Sequence, residues 1–139
     1  MPQFSRTSRS RLETCHQDLQ TIFNYVIKTF DCTIVCGERD KEAQNQAYDD
    51  GFSKVRYPNS KHNSHPSIAV DAVPWPVEWG NTKRMKYFAG YVMGVAEMLK
   101  EYGAITHDLV TGLDWDDDTV LKDTTFVDHP HFQLKPVRK

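Results

Sequence analysis

Ser60-Lys61-His62-Asn63-Ser64-His65-Pro66-Ser67-Ile68-Ala69-Val70-Asp71-Ala72-Val73 is the stretch whose reading decides the fold. Its first half belongs to a loop over 52–67, marked by Pro58, Asn59, Ser60, Asn63, Ser64, Pro66 and Ser67. Its second half, Ile68 to Val73, reads as a buried strand, ended by Pro74 and Pro76. Asp71 stands inside that apolar run. A buried carboxylate requires a strong partner. A metal ion is one such partner; an arginine or a backbone nest is another.

Outward from this strand the pattern alternates. Leu12, Cys15, Leu19, Ile22, Phe23, Val26, Ile27 and Phe30 recur at three- and four-residue steps and predict a first helix over 10–30. Asp31 to Cys36 predicts a strand stopped by Gly37. Asp40 caps a predicted helix over 41–50, ended at Gly51. Asn81 or Thr82 opens a long helix to about Tyr102, with Gly103 as its C-cap. Gly90 and Gly94 within it suggest close packing against a neighbour. Residues 106–123 read as irregular and acidic, and Phe126 to Leu134 as a last strand interrupted by Pro130. The predicted order is α-β-α-β-α-β.

A chain of 139 residues suits a single domain over 1–139. Residues 1–9 are expected to be a flexible basic tail, since Arg6, Arg9 and Arg11 precede the first acid, Glu13. With 39% hydrophobic and 26% charged residues, the composition is that of a soluble globular protein. A net charge of −2 implies no basic face for nucleic acid. No run reaches the ~18 apolar residues of a membrane span, so no membrane insertion is expected. The N-terminus lacks the apolar core of a signal peptide, so the chain is expected to stay in a cytoplasm until something else releases it. Three cysteines, an odd number with no CxxC motif, argue against a disulfide framework. Cys32 and Cys36 alternate with Ile34 and are read as small buried residues on one face.

The six histidines are unevenly spread. His62 and His65 precede the strand that carries Asp71, and His129 and His131 lie beside Asp128. A catalytic zinc site commonly uses three ligands from His, Asp and Glu and keeps one position open. His62, Asp71 and His131 would supply that set. Bound Zn²⁺ can bring the pKa of its water to ~7. Spacing alone does not separate such ligands from residues that satisfy loop hydrogen bonds.

Several segments together carry a resemblance. Ser60-Lys61-His62 followed by Ala69-Val70-Asp71 resembles the Ser-x-His…Ala-x-Asp motif of a zinc peptidase family. That family contains D-alanyl-D-alanine carboxypeptidases and dipeptidases, and the L-alanyl-D-glutamate endopeptidases of phages. Asp128-His129-Pro130-His131 resembles its second motif, Gly37-Glu38-Arg39 its Gly-x-Arg segment, and Asp114-Trp115-Asp116 an Asp-Trp-Asp element. The pieces stand in the family's order over about residues 10–135. The resemblance implies a single-domain α+β fold of the hedgehog/D-Ala-D-Ala peptidase-like type: a small, mainly antiparallel sheet with helices on one side and a cleft across it. It implies one zinc ion per chain, held by His62, Asp71 and His131. It implies Asp128 as general base and Arg39 at the substrate carbonyl oxygen or a nearby carboxylate.

The pattern departs in places. Eight residues separate His62 from Asp71, more than the family's usual gap. His65 restores a shorter one, so it is a rival ligand and otherwise a rim residue. His129 shares strand parity with His131 and is the rival at the other end, otherwise cleft lining. Gln133 stands where many relatives carry Glu, with a supporting role open to it. Thr106 to Leu113 does not match the Arg-Trp-Gly-Gly segment expected before Asp-Trp-Asp. Trp115 and Ser60 are candidates for substrate contact; Trp115 is equally readable as a core aromatic. Asp114, Asp116, Asp117 and Asp118 form either a solvated acidic loop or a cation site without EF-hand spacing.

The expected function is zinc-dependent cleavage of peptidoglycan stem peptides between L-alanine and D-glutamate, by a monomeric phage endolysin. Such an enzyme waits in the host cytoplasm until a membrane-permeabilising factor frees it. The alternatives are a D-alanyl-D-alanine carboxypeptidase or dipeptidase, a non-catalytic zinc-containing cell-wall binding module, and, remotely, a thiol peptidase using Cys36.

Overall fold

A computed structural model describes residues 2–115, 117, 119 and 128–135. Ser5 caps α1 (Arg6–Glu13), its Oγ accepting from the Ser8 amide at 3.1 Å. The expected flexible tail is thus corrected: Phe4 to Arg9 supply a core residue, a cap and the first helical turn. Phe4 packs into the core, and buried Ser8 accepts the Ile34 amide on its Oγ at 3.1 Å. An otherwise polar helix is held by such tertiary contacts rather than by an apolar stripe.

The single helix predicted over 10–30 is two. The chain leaves the helix at Thr14, and Cys15 forms an isolated parallel bridge with Ser67. The Ser67 amide donates to Thr14 O at 3.0 Å and the His16 amide to Ser67 O at 2.8 Å. His16 then caps α2 (Gln17–Val26), its Nδ1 accepting from the Asp18 amide at 2.9 Å. These pairings join segments some fifty residues apart, so local periodicity could not show them.

Four strands form one antiparallel sheet in the order β1-β2-β4-β3. They are β1 (Cys32–Cys36), β2 (Ala69–Pro74), β3 (Leu109–Thr111) and β4 (His131–Leu134). β3 lies in the stretch expected to be irregular; three residues are too few for a period to register. The part of the predicted last strand at 126–127 lies outside the described residues. Two further helices, α3 (Lys41–Asp49) and α4 (Thr82–Glu101), begin at the expected caps: Asp40 accepts from the Ala43 amide at 2.8 Å and Asn81 from Arg84 at 3.2 Å. Gly103 ends α4 with φ +77°. Gly90 and Gly94 are exposed, and a β-carbon at either would meet no other element within 4 Å, which corrects the expected close packing.

Strand alternation sorts the sheet into two faces. Ile34, Val70, Ala72, Phe132 and Leu134 join α2 and α4 in one core. Phe132 meets Phe23 of α2 and, more distantly, Phe88 of α4, with ring centroids 5.5 and 6.2 Å apart. Each of these rings contributes roughly 1.5–3 kcal/mol by burial, so two helices clamp the strand that carries His131. Asp71, His131 and Gln133 point the other way, toward a cleft. The result is a single-domain α+β fold, as expected.

A bulge adjusts one position. Ile34 pairs with Ala72, but Cys36 pairs with Asp71, leaving Val35 as the extra residue. A shift of one residue moves a side chain to the opposite face. Cys36 therefore lines the cleft half-buried, while Cys32 stays in the core. This corrects the expectation that both cysteines share a buried face. Burial pushes the Cys32 thiol up to about 12.

Candidate metal centre

Register builds the centre. Asp71 lies opposite His131 in the β2–β4 pair, so two strand residues face each other without help from loops. His62 arrives from a short 3₁₀ turn, Lys61–Asn63. Ser60 caps that turn: its Oγ accepts the His62 amide at 3.2 Å, and Asn63 Oδ1 accepts the Ser60 amide at 3.0 Å. The Ser60 hydroxyl, expected to touch substrate, here orients the residue two places on, although Ser60 also borders the cleft.

One ligand atom from each of His62, Asp71 and His131 lies within 4.8 Å of the other two, and all three residues are buried. Asp71 Oδ1 is 3.3 Å from His62 Nε2 and 3.2 Å from His131 Nδ1. His62 Nδ1 donates to Gly37 O at 2.7 Å, which fixes the ring with Nε2 inward. That Nε2 is buried, poorly aligned for a hydrogen bond, and the sole such orphan among the described residues. An orphaned buried nitrogen carries a desolvation cost of about 1–3 kcal/mol, and a cation facing it would remove that cost. His131 is fixed in the complementary sense: its Nε2 donates to Gln133 Oε1 at 2.8 Å, leaving the Nδ1 lone pair for the centre. Two imidazoles and one carboxylate with opposed tautomers fit a divalent transition metal.

A second cluster shows the contrast. His16, Asp18 and His107 also lie within 4.8 Å of one another. There Asp18 Oδ2 accepts from the amides of Thr106 and His107 at 3.1 and 3.2 Å and from His107 Nδ1 at 2.7 Å, while His16 Nδ1 caps α2. Burial would raise the Asp18 carboxyl, but these donors hold it below its usual value. Every named group is satisfied, and the cluster clamps the 106–107 segment to α2.

Electrostatics at the centre run in opposite directions. For Asp71, burial raises the pKa, but His131 and His62 more than reverse it and hold the carboxyl far below the usual range. For His62, burial lowers the pKa, yet Asp71 and Cys36 outweigh it and lift it to about 10. Asp128 is different. Burial and the Asp71 charge raise it, and His131, His62 and Arg39 only partly offset them. Its Oδ2 is 3.9 Å from His131 Nδ1, and it borders the cleft. A carboxylate whose pKa is raised and which stays partly open to solvent is suited to accept and return a proton.

Gly112 sets Asp128 in place. Its carbonyl accepts the Asp128 amide at 3.0 Å, its amide donates to His131 O at 2.8 Å, and a Cβ there would collide with the Asp128 carbonyl. Arg39 approaches from the other side, with Nη2 3.5 Å from Asp71 Oδ2 and its amide donating to His62 O at 2.8 Å. Behind it lies Gln44, fully buried in α3. Gln44 Oε1 accepts from Arg39 Nη1 at 3.3 Å and Asn63 Nδ2 at 3.2 Å. Its Nε2 donates to Ser53 Oγ at 2.8 Å and Val55 O at 2.7 Å. All four of its hydrogen-bonding capacities are used. Sequence alone assigned Gln44 no role. A polar residue on the inner side of a helix was the available signal.

The remaining candidates separate. His65 is exposed, pairs with Glu38 Oε1 at 2.8 Å, and stands outside the ligand group. His129 lines the cleft. Trp115 lines it too, its ring centroid 5.1 Å from that of His131. Phe52 and Trp79, which sequence reasoning passed over, are exposed aromatics on the same cleft of about 870 Å³. In the acidic loop, Asp114 accepts the Thr119 amide at 2.8 Å and Asp117 pairs with Lys135 at 2.9 Å; Asp116 and Asp118 lie outside the described residues. No helix among the described residues is long and apolar enough to cross a membrane.

Known proteins share this architecture. The crystal structure of the Serratia marcescens L-Ala D-Glu endopeptidase ChiX superposes with a TM-score of 0.68 at 24% identity, over 95% of this chain and 89% of that one. At that identity the likeness speaks for the fold. No curated protein matches the sequence. The model of a peptidase family, described as phage L-alanyl-D-glutamate peptidase, matches residues 1–135. With that match running almost end to end, the chain belongs to the phage L-alanyl-D-glutamate peptidase family.

Proposed function

We propose that this peptidoglycan peptidase is zinc-dependent, cuts stem peptides between L-alanine and D-glutamate, and serves as a phage endolysin. One observation carries the metal reading: the buried, unpartnered Nε2 of His62, aimed at the same space as Asp71 Oδ1 and His131 Nδ1. Two imidazoles and a carboxylate are a common donor set for catalytic zinc. His62, Asp71 and His131 would hold the ion, which when bound supplies a Lewis acid able to make water nucleophilic near neutral pH. The bond and the endolysin role are inferred from the family.

The other residues supply binding and proton transfer. Asp128 takes a proton from the attacking water on its carboxylate and returns it to the leaving amine. Its raised pKa narrows the gap between a resting carboxylate and a usable acid. Arg39 stays charged and offers planar donors to the oxygen on which negative charge develops. Gln44 keeps that guanidinium from collapsing fully onto Asp71. Trp115, Phe52 and Trp79 give the peptide apolar walls. A pure binding module would need neither Asp128 nor Arg39.

The test is product mass spectrometry on purified stem peptides with zinc-loaded and chelated protein. The expected result is an L-alanine-terminated fragment and a new D-glutamyl amine, lost on chelation. Release of terminal D-alanine would replace this reading by a carboxypeptidase. Unimpaired cleavage by metal-free protein would remove zinc from it.

A further inference from the structure

Among the described residues, the cleft lining carries a charge opposite in sign to that of the whole chain. Its described acids are Asp71 and Asp128, both part of the centre, whereas Arg39, Lys54 and Lys61 are cationic. The chain as a whole has a net charge of −2. Arg39 is engaged with Asp71 and Gln44. Lys61 is not: its ammonium has no hydrogen bond or ion pair with any described residue, although acids outnumber bases in the sequence, 19 to 17.

Its backbone, by contrast, is tightly placed. Lys61 opens the 3₁₀ turn that presents His62, the next residue. The turn is capped by Ser60 and Asn63, and Asn63 Nδ2 is tied to Arg39 O at 3.1 Å and to Gln44 Oε1. A cation without a partner among the described residues, set on a fixed backbone one residue from a proposed ligand, gives up chiefly side-chain freedom when it meets an anion.

The proposed substrate supplies such an anion. Glutamate has two carboxyl groups, and the stem continues through one of them. The other stays free on the leaving-amine side of the scissile bond. We propose that Lys61 recognises this free carboxylate and makes the enzyme prefer it over the amidated form; the inference rests on the L-alanyl-D-glutamate reading above. A lysine suits the task because a flexible point charge tolerates small differences in peptide pose.

The experiment compares two synthetic stem peptides, identical except that the free glutamyl carboxylate is a carboxamide in one. Zinc-loaded wild type, Lys61→Arg, Lys61→Met and Lys61→Glu are measured for kcat/KM and, by calorimetry, for peptide affinity. A partly exposed ion pair in an apolar cleft gives wild type a preference of about three- to tenfold for the acid. The preference resides in KM and shrinks with added salt. It survives in Lys61→Arg, falls to about one in Lys61→Met and inverts in Lys61→Glu. An unchanged ratio in Lys61→Met and Lys61→Glu overturns the role of Lys61 while leaving the peptidase reading intact. If wild type cuts neither peptide, the cleavage reading fails instead, and the affinity ratio still decides on Lys61.

Discussion

Gln133 Oε1 accepts the Nε2 proton of His131 at 2.8 Å, and this bond decides which nitrogen of His131 faces Asp71. Both residues project from β4 two positions apart, so strand geometry alone brings them together. Replacing Gln133 by Leu frees the ring to turn and should weaken zinc binding by about 10–100-fold. Gln133→Glu keeps an acceptor and should retain the affinity. Competition against a chromogenic chelator reads both; equal affinities for wild type and Gln133→Leu would contradict the assignment.

The three proposed ligands and the proposed base should part company on mutation. His62→Ala, Asp71→Ala and His131→Ala are expected to lose both zinc and cleavage. Asp128→Asn should keep stoichiometric zinc while kcat falls by roughly 10²–10⁴-fold. Elemental analysis beside a turnover assay separates the two classes. An Asp128→Asn protein with normal kcat would remove Asp128 from proton transfer.

Gln44 should matter to binding as well as to stability. Gln44→Met fills similar volume but removes the hydrogen bonds to Arg39 Nη1, Asn63 Nδ2, Ser53 Oγ and Val55 O, at a cost of about 2–4 kcal/mol. The expected signs are a lower Tm and a higher KM, because the Arg39 side chain and the 53–55 rim both lose an anchor. Thermal unfolding and steady-state kinetics check this. A change in Tm with KM untouched would confine Gln44 to the scaffold.

Stability and metal affinity should respond to pH in opposite directions. In metal-free protein, burial lowers the His62 pKa but Asp71 and Cys36 raise it to about 10. The resulting stabilisation is complete below the ordinary imidazole value of ~6.5 and is lost as pH rises through the folded value. Asp71 acts at the other end. Its depressed pKa stabilises the fold above the ordinary carboxylate range, and that contribution is lost on acidification. Zinc held at the proposed site would displace the His62 proton, so its binding should strengthen as pH rises. The Tm gain on adding zinc should therefore be larger at about pH 8.5 than at about pH 6, while the chelated protein's Tm declines over that interval. A pH-independent Tm gain would argue against a protonated His62.

Much of the centre was legible because two strong local signals coincided with chain order. Asp71 in an apolar run announced a buried carboxylate, and His131 lay in the strand that pairs with it. Caps at Asp40, Asn81 and Gly103 were readable because they depend on residues within one turn. What could not be read depends on distant partners. The break at Thr14 follows from Ser67, the cleft position of Cys36 from a bulge against Asp71, and the duties of Gln44 from four residues on three other segments. β3 exists because β4 offers it an edge, and three residues leave no pattern of their own.

The amino-terminal helix turns out to be a backstop for the proposed centre. A side chain at Gly37 would strike Arg11 O and Thr14 Oγ1, and Thr14 Oγ1 accepts the Glu38 amide at 2.9 Å. The Gly37 carbonyl wedged there is the one that holds His62. Trimming the chain by removing residues 1–14 would therefore unseat an imidazole that lies about fifty positions downstream. Anyone shortening or fusing this protein at its leading end is handling the mount of the proposed metal site.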